Sequence, residues 1–194
     1  MERRMKISCF KAYDVRGRMP DELNEDVARR IGRAYAQVIQ PGQVIVGRDI
    51  RLSSDALAAA LTEGLNAGGA DVLDIGLCGT EEVYFATFDQ DVGGGIMVTA
   101  SHNPPDFNGM KFVREGSRPI SGDSGLGDIH TLAESGEFAT PANSGSAQPV
   151  EVWQRYIDLL LGYVDIGELA PLKIVVNAGN GGAGLSIDRL EPHL

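Results

Sequence analysis

The chain has 194 residues, of which 17 are basic and 27 acidic, so its formal net charge is −10. This length predicts one or two domains and is enough to bury a core. Hydrophobic residues make up 43% and charged residues 23%, a globular composition that argues against wholesale disorder. The acidic balance argues against a nucleic-acid binder, which needs a basic surface for phosphates.

Cysteine and histidine usage argues against further classes. Cys9 and Cys78 stand far apart, and the three histidines lack metal-ligand spacing, which argues against a zinc site or a disulfide scaffold. The first ten residues lack the apolar run of a signal peptide, and the longest weakly polar stretch, 56–61, is too short to cross a membrane. We therefore expect a soluble, cytoplasmic protein that contacts neither nucleic acid nor membrane.

The first half of the chain alternates between strand and helix patterns. The predicted elements are an extended segment at 10–13, a helix that begins after Asn24 and ends at Pro41, a strand at 44–46, a helix that begins at 53–55 and ends at Gly68, a strand at 72–75, a helix at 80–88 and a strand at 96–98. This alternation predicts the α/β class, as a three-layer α/β/α domain with a mixed, mostly parallel sheet.

The second half is poorer in regular patterns. Gly, Ser, Pro, Thr and Asp dominate residues 116–148. The predictions for this half are a short helix around Ile129 and Leu132, a linker at 139–149, a helix at 152–163, a strand at 172–176 and a helix at 185–190. We place a domain boundary near residue 150. Residues 1–150 would form one domain, and residues 151–194 the incomplete start of a second, similar domain, too short to close its own core.

The strongest chemical signal is the motif TASHNPP at 99–105. It follows a predicted strand, where open α/β sheets bind their ligands, and its two prolines predict a stiff exposed loop. Ser101 in such a loop is a candidate nucleophile or phosphate carrier. A turn in which Ser101, His102 and Asn103 bond only their own backbone explains the motif equally well. A Ser-His hydrolase fits less well, because no GxSxG elbow is present.

Two further motifs carry cationic side chains. Asn108 and Gly109 form a typical hairpin-turn pair, which predicts that Lys111 folds back toward Ser101. There Lys111 would hold a phosphate or transfer a proton; the alternative is a solvated surface lysine. Arg16, in YDVRG at 13–17, suits bidentate phosphate contact or, alternatively, an internal ion pair with the preceding aspartate.

Two motifs have structural interpretations. In GRDIR at 47–51, we interpret Asp49 and Arg51 as a pair that supports the site. Residues 179–184 match GxGxxG between a predicted strand and helix, as in dinucleotide-binding proteins, but a tight strand-to-helix turn explains them as well. The sequence has no DxDxD cluster of magnesium-binding carboxylates.

Together these motifs resemble the α-D-phosphohexomutases. The similarity is carried by TASHNP at 99–104, KAYDVRG at 11–17, GRDIRLSS at 47–54 and NGMK at 108–111. Within the family the chain is most similar to the bacterial phosphomannomutases of capsule and GDP-mannose synthesis. The resemblance also makes residues 179–184 a turn of the family's second domain, without a dinucleotide.

The resemblance implies a phosphoserine mechanism. Ser101 would give its phosphoryl group to a hexose monophosphate, form a 1,6-bisphosphate and take the other phosphoryl group back, so that hexose 6-phosphate and hexose 1-phosphate interconvert. Mg²⁺ would bind the phosphate on Ser101, and glucose or mannose 1,6-bisphosphate would act as activator. The resemblance implies that three residues are catalytic, namely Ser101, Lys111 and Arg16. It also implies that three residues bind the substrate, namely Tyr13, His102 and Asn103.

The family arranges four domains around one cleft, and the resemblance covers its first domain and the start of its second. The DGDxDR magnesium loop and the sugar- and phosphate-recognition loops would then come from the remaining domains. We expect the isolated chain to have negligible mutase activity. Two alternatives remain: a non-catalytic α/β module that binds a phosphosugar or dinucleotide, and a degenerate or truncated gene product without a function of its own.

Overall fold

The structure is a computed structural model that describes residues 3–179 and 181–194. Its strands are β1 (Val15–Arg18), β2 (Gln43–Arg48), β3 (Asp71–Leu77), β4 (Gly94–Val98), β5 (Phe107–Arg114), β6 (Arg118–Pro119) and β7 (Ala147–Pro149). Its α-helices are α1 (Glu25–Ile39), α2 (Ser54–Ala67), α3 (Thr80–Asp89), α4 (Leu126–Ser135), α5 (Trp153–Leu161) and α6 (Ala183–Leu190). Among the described residues, no helix combines the length and the apolar character that a membrane span requires.

The strands form one mixed sheet in the order β1-β5-β4-β2-β3-β7, and β6 pairs with β5. Pairing is parallel from β4 through β2 and β3 to β7. It is antiparallel where β5 joins β4, β1 and β6. The predicted three-layer α/β/α fold with a mixed sheet is therefore confirmed. The parallel pairs lie in the half of the sheet from β4 to β7, and the antiparallel pairs lie in the other half.

Alternation along the strands divides the core into two layers. On β2, Val44 and Val46 pack with α1, α2 and α4, whereas Ile45 packs with α3 on the opposite face. Because successive strand side chains point to opposite faces, both faces of a central strand such as β2 must be apolar.

The helix boundaries follow their capping residues. The side chain of Asn24 accepts a hydrogen bond from the backbone N–H of Val27 at 3.0 Å and so begins α1 as predicted. α1 ends at Gln40, in the left-handed backbone conformation, directly before Pro41. The helix predicted around Ile129 is also confirmed, as α4.

Two predictions are wrong: the extended segment at 10–13 and the hairpin turn at Asn108 and Gly109. Residues 11–14 form a tight turn in which the N–H of Lys11 donates to the carbonyl of Asp14, so the first strand begins only at Val15. Asn108 and Gly109 lie inside β5 rather than in a hairpin turn. Both are needed in the strand for close contacts with neighbouring elements, and these contacts override their turn propensity.

Two predictions in the second half also need correction. The linker predicted at 139–149 ends in a strand, since β7 pairs in parallel with β3. The segment 172–176 forms no strand and leaves its apolar side chains exposed, because no described strand pairs with it. A helix follows the glycine-rich segment as predicted, but Asn180 of that motif lies outside the described residues.

α5 packs against the outer surface of α3. The rings of Phe85 and Tyr156 lie 5.4 Å apart, and Arg155 forms an ion pair with Asp89 at 2.6 Å. Val152 is buried in the same apolar cluster as the outer face of the sheet. The residues that follow β7 are thereby attached to the helical layer that flanks β4.

Tyr35 of α1 provides a test of the buried polar contacts. Its side chain is fully buried and its hydroxyl donates to the carbonyl of Val113 at 2.7 Å. Replacement Tyr35→Phe should lower the free energy of unfolding by about 1–2 kcal/mol, because a buried carbonyl loses its donor. Urea denaturation measures the change, with the exposed Tyr163→Phe as control; equal stability of the two variants would contradict the contact.

Candidate functional site

The Ser101 loop, defined here as residues 99–106, joins β4 to β5. Ser101 has a φ of 52°, a left-handed conformation that costs a non-glycine residue about 1–2 kcal/mol. Its N–H donates to the hydroxyl of Thr99 at 2.9 Å, and the N–H of Asn103 donates to the carbonyl of Ala100 at 3.0 Å. Hydrogen bonds within the loop thus constrain its backbone, while the side chain of Ser101 remains exposed.

His102 lies next to the serine hydroxyl without forming a strong contact. Its Nδ1 is 3.4 Å from Oγ of Ser101, longer than a usual hydrogen bond from a hydroxyl group, and its side chain is exposed. The geometry is looser than the serine–histidine contact of a hydrolase, in keeping with the sequence interpretation.

Strand register places Arg16 beside this loop. Arg16 pairs with Gly109 across β1 and β5, and the N–H of Thr99 donates to the carbonyl of Gly109. The side chain of Arg16 crosses over Gly109, and its Nη1 donates to the carbonyl of Thr99 at 2.7 Å. A Cβ at Gly109 would lie 3.0 Å from Cδ of Arg16 and would overlap the carbonyl oxygen of Val15. Only glycine leaves room for this crossing.

Asp14 connects the two cationic side chains. One oxygen, Oδ2, accepts from Nε of Arg16 at 2.9 Å and lies 4.0 Å from Nζ of Lys111. The internal Asp–Arg pair considered from the sequence therefore exists, in addition to the contact of Arg16 with the loop. Lys111 lies on β5 opposite Met97 and approaches Asp14 from that strand, rather than through the hairpin turn that the sequence predicts. Tyr13 precedes this group and is 76% exposed.

A cleft of about 800 Å³ opens on another side of the loop, between the N-terminal end of α3 and the start of α6. Ser101 and Asn103 line it. Tyr13, Arg16, His102 and Lys111 are not among its lining residues. The structure thus groups Arg16 and Lys111 around Asp14, with Arg16 at the base of the loop, and places Ser101 with Asn103 at the cleft.

Two titratable groups in the cleft stay protonated at neutral pH. Burial, with the carboxylate of Glu82 as a smaller cause, raises the pKa of the Cys78 thiol to about 12. Burial also raises the pKa of Tyr156 to about 12, followed by the charges of Glu82 and Glu81. A thiol with so high a pKa is a poor nucleophile, whereas the hydroxyl of Ser101 is exposed at the cleft.

The sequence predicts a structural pair of Asp49 and Arg51, and the structure contains this ion pair. Nε of Arg51 lies 3.5 Å from Oδ2 of Asp49. Arg51 also bonds the carbonyl groups of the Ser101 loop, which sequence reasoning missed. Asp14 and Thr99 were likewise not identified as site residues, although each stands in a motif that was. Cross-strand register, which a single sequence does not display, is the signal that would have found them.

A magnesium site at Ser101 would require several oxygen ligands from the surrounding residues. The described residues contain no group of three or more His, Cys, Asp or Glu side chains that could hold a metal ion. A phosphate on Ser101 would add oxygen ligands, but the side chains around it do not complete the coordination that Mg²⁺ requires. The described residues therefore do not fit a full magnesium site.

Comparisons with known proteins identify relatives of the whole chain. The family model described as phosphoglucomutase/phosphomannomutase, alpha/beta/alpha domain I, matches residues 8–139. The phosphomannomutase of Salmonella typhimurium is 58% identical over 191 residues, which cover 97% of this chain and 42% of that protein. A protein of Xanthomonas campestris named phosphohexose mutases is 55% identical over 190 residues, covering 98% of this chain and 42% of its own length.

A solved structure shares the fold. The crystal structure of a phosphoglucomutase/phosphomannomutase family protein from Burkholderia thailandensis superposes with a TM-score of 0.84 at 38% identity, over 95% of this chain and 42% of that chain. The chain spans about two fifths of the length of the curated relatives it matches.

The crossing of Arg16 over Gly109 provides a test of the site geometry. Gly109→Ala should lower the free energy of unfolding by about 1–3 kcal/mol, because its Cβ overlaps backbone atoms in a packed strand. It should also broaden or shift the NMR signals of Arg16 and Thr99. Gly127→Ala, in an exposed helical position whose Cβ meets only an ordinary 3.4 Å contact, is the matched control and should not be destabilising. Wild-type stability of Gly109→Ala would refute the close approach.

Proposed function

The chain belongs to the phosphoglucomutase/phosphomannomutase family, and from this premise we propose that it supplies the phosphoserine part of a phosphohexomutase. The proposed enzyme is of the phosphomannomutase type and interconverts hexose 6-phosphate and hexose 1-phosphate through a 1,6-bisphosphate, in sugar-nucleotide and carbohydrate metabolism. Its partners would be hexose phosphates and the remaining domains of the enzyme, and its location the cytoplasm.

One observation carries this proposal. Ser101 is exposed at the edge of a cleft on a constrained loop, and Arg16 contacts the base of that loop beside Lys111. Phosphoryl transfer depends mainly on positioning and on positive charge near the transferred group. The constrained loop supplies the positioning, and Arg16 at the base of the loop, with Lys111 beside it at Asp14, supplies the positive charge.

In the proposed reaction, a hexose hydroxyl forms a bond to the phosphorus on Ser101 as the bond to Oγ breaks. The hydroxyl loses one proton and Oγ gains one, and Lys111 is the proposed carrier. Arg16 uses Nε and Nη1 for Asp14 and Thr99, and no described residue accepts from its Nη2, which is proposed to bind a phosphate oxygen. Tyr13, His102 and Asn103 are the proposed substrate contacts. The second transfer is the reverse step at the other phosphate.

Mg²⁺ and a glucose or mannose 1,6-bisphosphate activator remain proposals drawn from the family. The only contribution that we assign to this chain is the phosphate on Ser101. The described side chains do not complete a metal site, so no step of the reaction is derived through the ion.

The proposed domain division places residues 1–150 in the phosphoserine domain and residues 151–194 at the beginning of a second one. Inclusion of β7 in the sheet supports a boundary after Pro149. The family model of the first domain ends at residue 139, within the segment that precedes β7.

A chimera tests the proposed function. This chain would replace the matching 191 residues of the Salmonella typhimurium phosphomannomutase. We expect the chimera to convert mannose 6-phosphate to mannose 1-phosphate in a coupled assay and to carry one phosphoryl group on Ser101 by mass spectrometry. Ser101→Ala should lose both, whereas Ser144→Ala, at an exposed loop serine, should keep both. Turnover by Ser101→Ala would overturn the assigned role.

The isolated chain is expected to be inactive in the same assay, because the catalytic cleft of the family is completed by other domains. Activity of the 194-residue chain alone would contradict this expectation. Binding of a dinucleotide by a chain that cannot support turnover in the chimera would favour the non-catalytic module instead.

A further inference from the structure

Arg51 contacts the Ser101 loop more extensively than any residue implied by the family resemblance. Its Nη2 donates to the carbonyl groups of Ser101 at 3.0 Å and Asn103 at 2.6 Å. Its Nη1 donates to the carbonyl groups of Pro104 at 2.8 Å and Phe107 at 3.0 Å. The guanidinium group therefore bonds three backbone oxygens of the loop and one at the start of β5.

The backbone of Arg51 is anchored to the sheet through Asp49, whose carboxylate also lies 3.5 Å from Nε of the guanidinium group. Asp49, whose N–H donates to the carbonyl of Val98 on β4, accepts from the N–H of Arg51 at 3.0 Å. The same oxygen accepts from the hydroxyl of Ser54 at 2.5 Å. The amide of Asn108 on β5 donates to that hydroxyl at 3.0 Å. Arg51 is thus held between the ends of the two strands that the loop connects, with its side chain only 16% exposed.

We infer that Arg51 is the positioning residue of the Ser101 loop: its four hydrogen bonds hold Ser101 in its left-handed conformation and present the hydroxyl at the cleft. The contacts of Arg51 support this inference on their own. Only the importance of the loop geometry for catalysis rests on the proposed function. All four terminal N–H groups of Arg51 are used by backbone oxygens, so Arg51 holds the loop rather than binding a substrate phosphate.

The fork geometry makes this role specific to arginine. Arginine offers five N–H groups in a fixed plane, whereas lysine offers three from one nitrogen at the end of a flexible stem. A lysine at position 51 would keep the positive charge but would not reach four carbonyl groups that converge from separate turns. Charge alone therefore does not replace Arg51.

Amide hydrogen exchange on the 194-residue chain tests the inference directly. The N–H groups of Ser101, Asn103 and Phe107 donate to acceptors of loop residues and therefore report the order of the loop. Arg51→Lys should speed their exchange on the order of tenfold, with α1 and β2 unchanged, because the loop opens locally. The control Arg29→Lys, at a partly exposed position of α1, should leave these groups unchanged. Wild-type exchange rates of the loop in Arg51→Lys would overturn the inference.

A second variant applies if Arg51→Lys does not fold. Asp49→Asn keeps Arg51 but removes the charge that anchors it, and should speed exchange of the same loop groups by a smaller factor. Unchanged exchange in a folded Asp49→Asn chain would then count against the inference.

A double-mutant cycle distinguishes positioning from general stabilisation. Ser101→Gly removes the cost of the left-handed conformation and should raise the folding equilibrium constant about fivefold in the wild-type background. In the Arg51→Lys or Asp49→Asn background the loop can relax, so the gain should fall to less than twofold. Equal gains in both backgrounds would overturn the positioning role. Because neither measurement requires phosphoryl transfer, failure of the proposed function and failure of this inference give different results.

Discussion

The site depends on the antiparallel insertion of β5 between β4 and β1. β4 ends a parallel series of strands, and its chain must reverse within the few residues of the Ser101 loop to form β5. That reversal leaves Ser101 at the carboxyl end of β4, where a parallel sheet presents its ligand-binding loops. The register of β5 then brings Lys111 opposite Met97 and Gly109 opposite Arg16. One strand therefore positions the loop and both cationic side chains.

Sequence patterns were sufficient to predict the helices and strands whose buried apolar residues recur at regular spacing. α1, α2 and α3 were predicted with boundaries close to the observed ones, because apolar spacing and capping residues are local properties. The core strands β2, β3 and β4 were recognised as short apolar runs. The family and the Ser101 motif were also recognisable, since the motif residues are contiguous in the sequence.

The failures share a different cause, namely contacts between residues distant in the chain. Asn108 and Gly109 are typical of a turn when read locally. In the fold, Asn108 is buried against Ser54, and Gly109 provides room for Arg16. Likewise, β7 is a strand only because β3 offers an open edge, and 172–176 is apolar but unpaired in the described residues. Tertiary pairing thus overrode local propensity in each case.

The left-handed backbone of Ser101 has a consequence for which amino acid can occupy the position. Serine and threonine each carry a hydroxyl group, and either accepts a phosphoryl group in proteins. At a φ of 52°, however, a β-branched side chain is far less tolerated than serine, because its second substituent crowds the backbone. The choice between these two alcohols is therefore made by the shape of the main chain, before any chemistry of the substrate is involved.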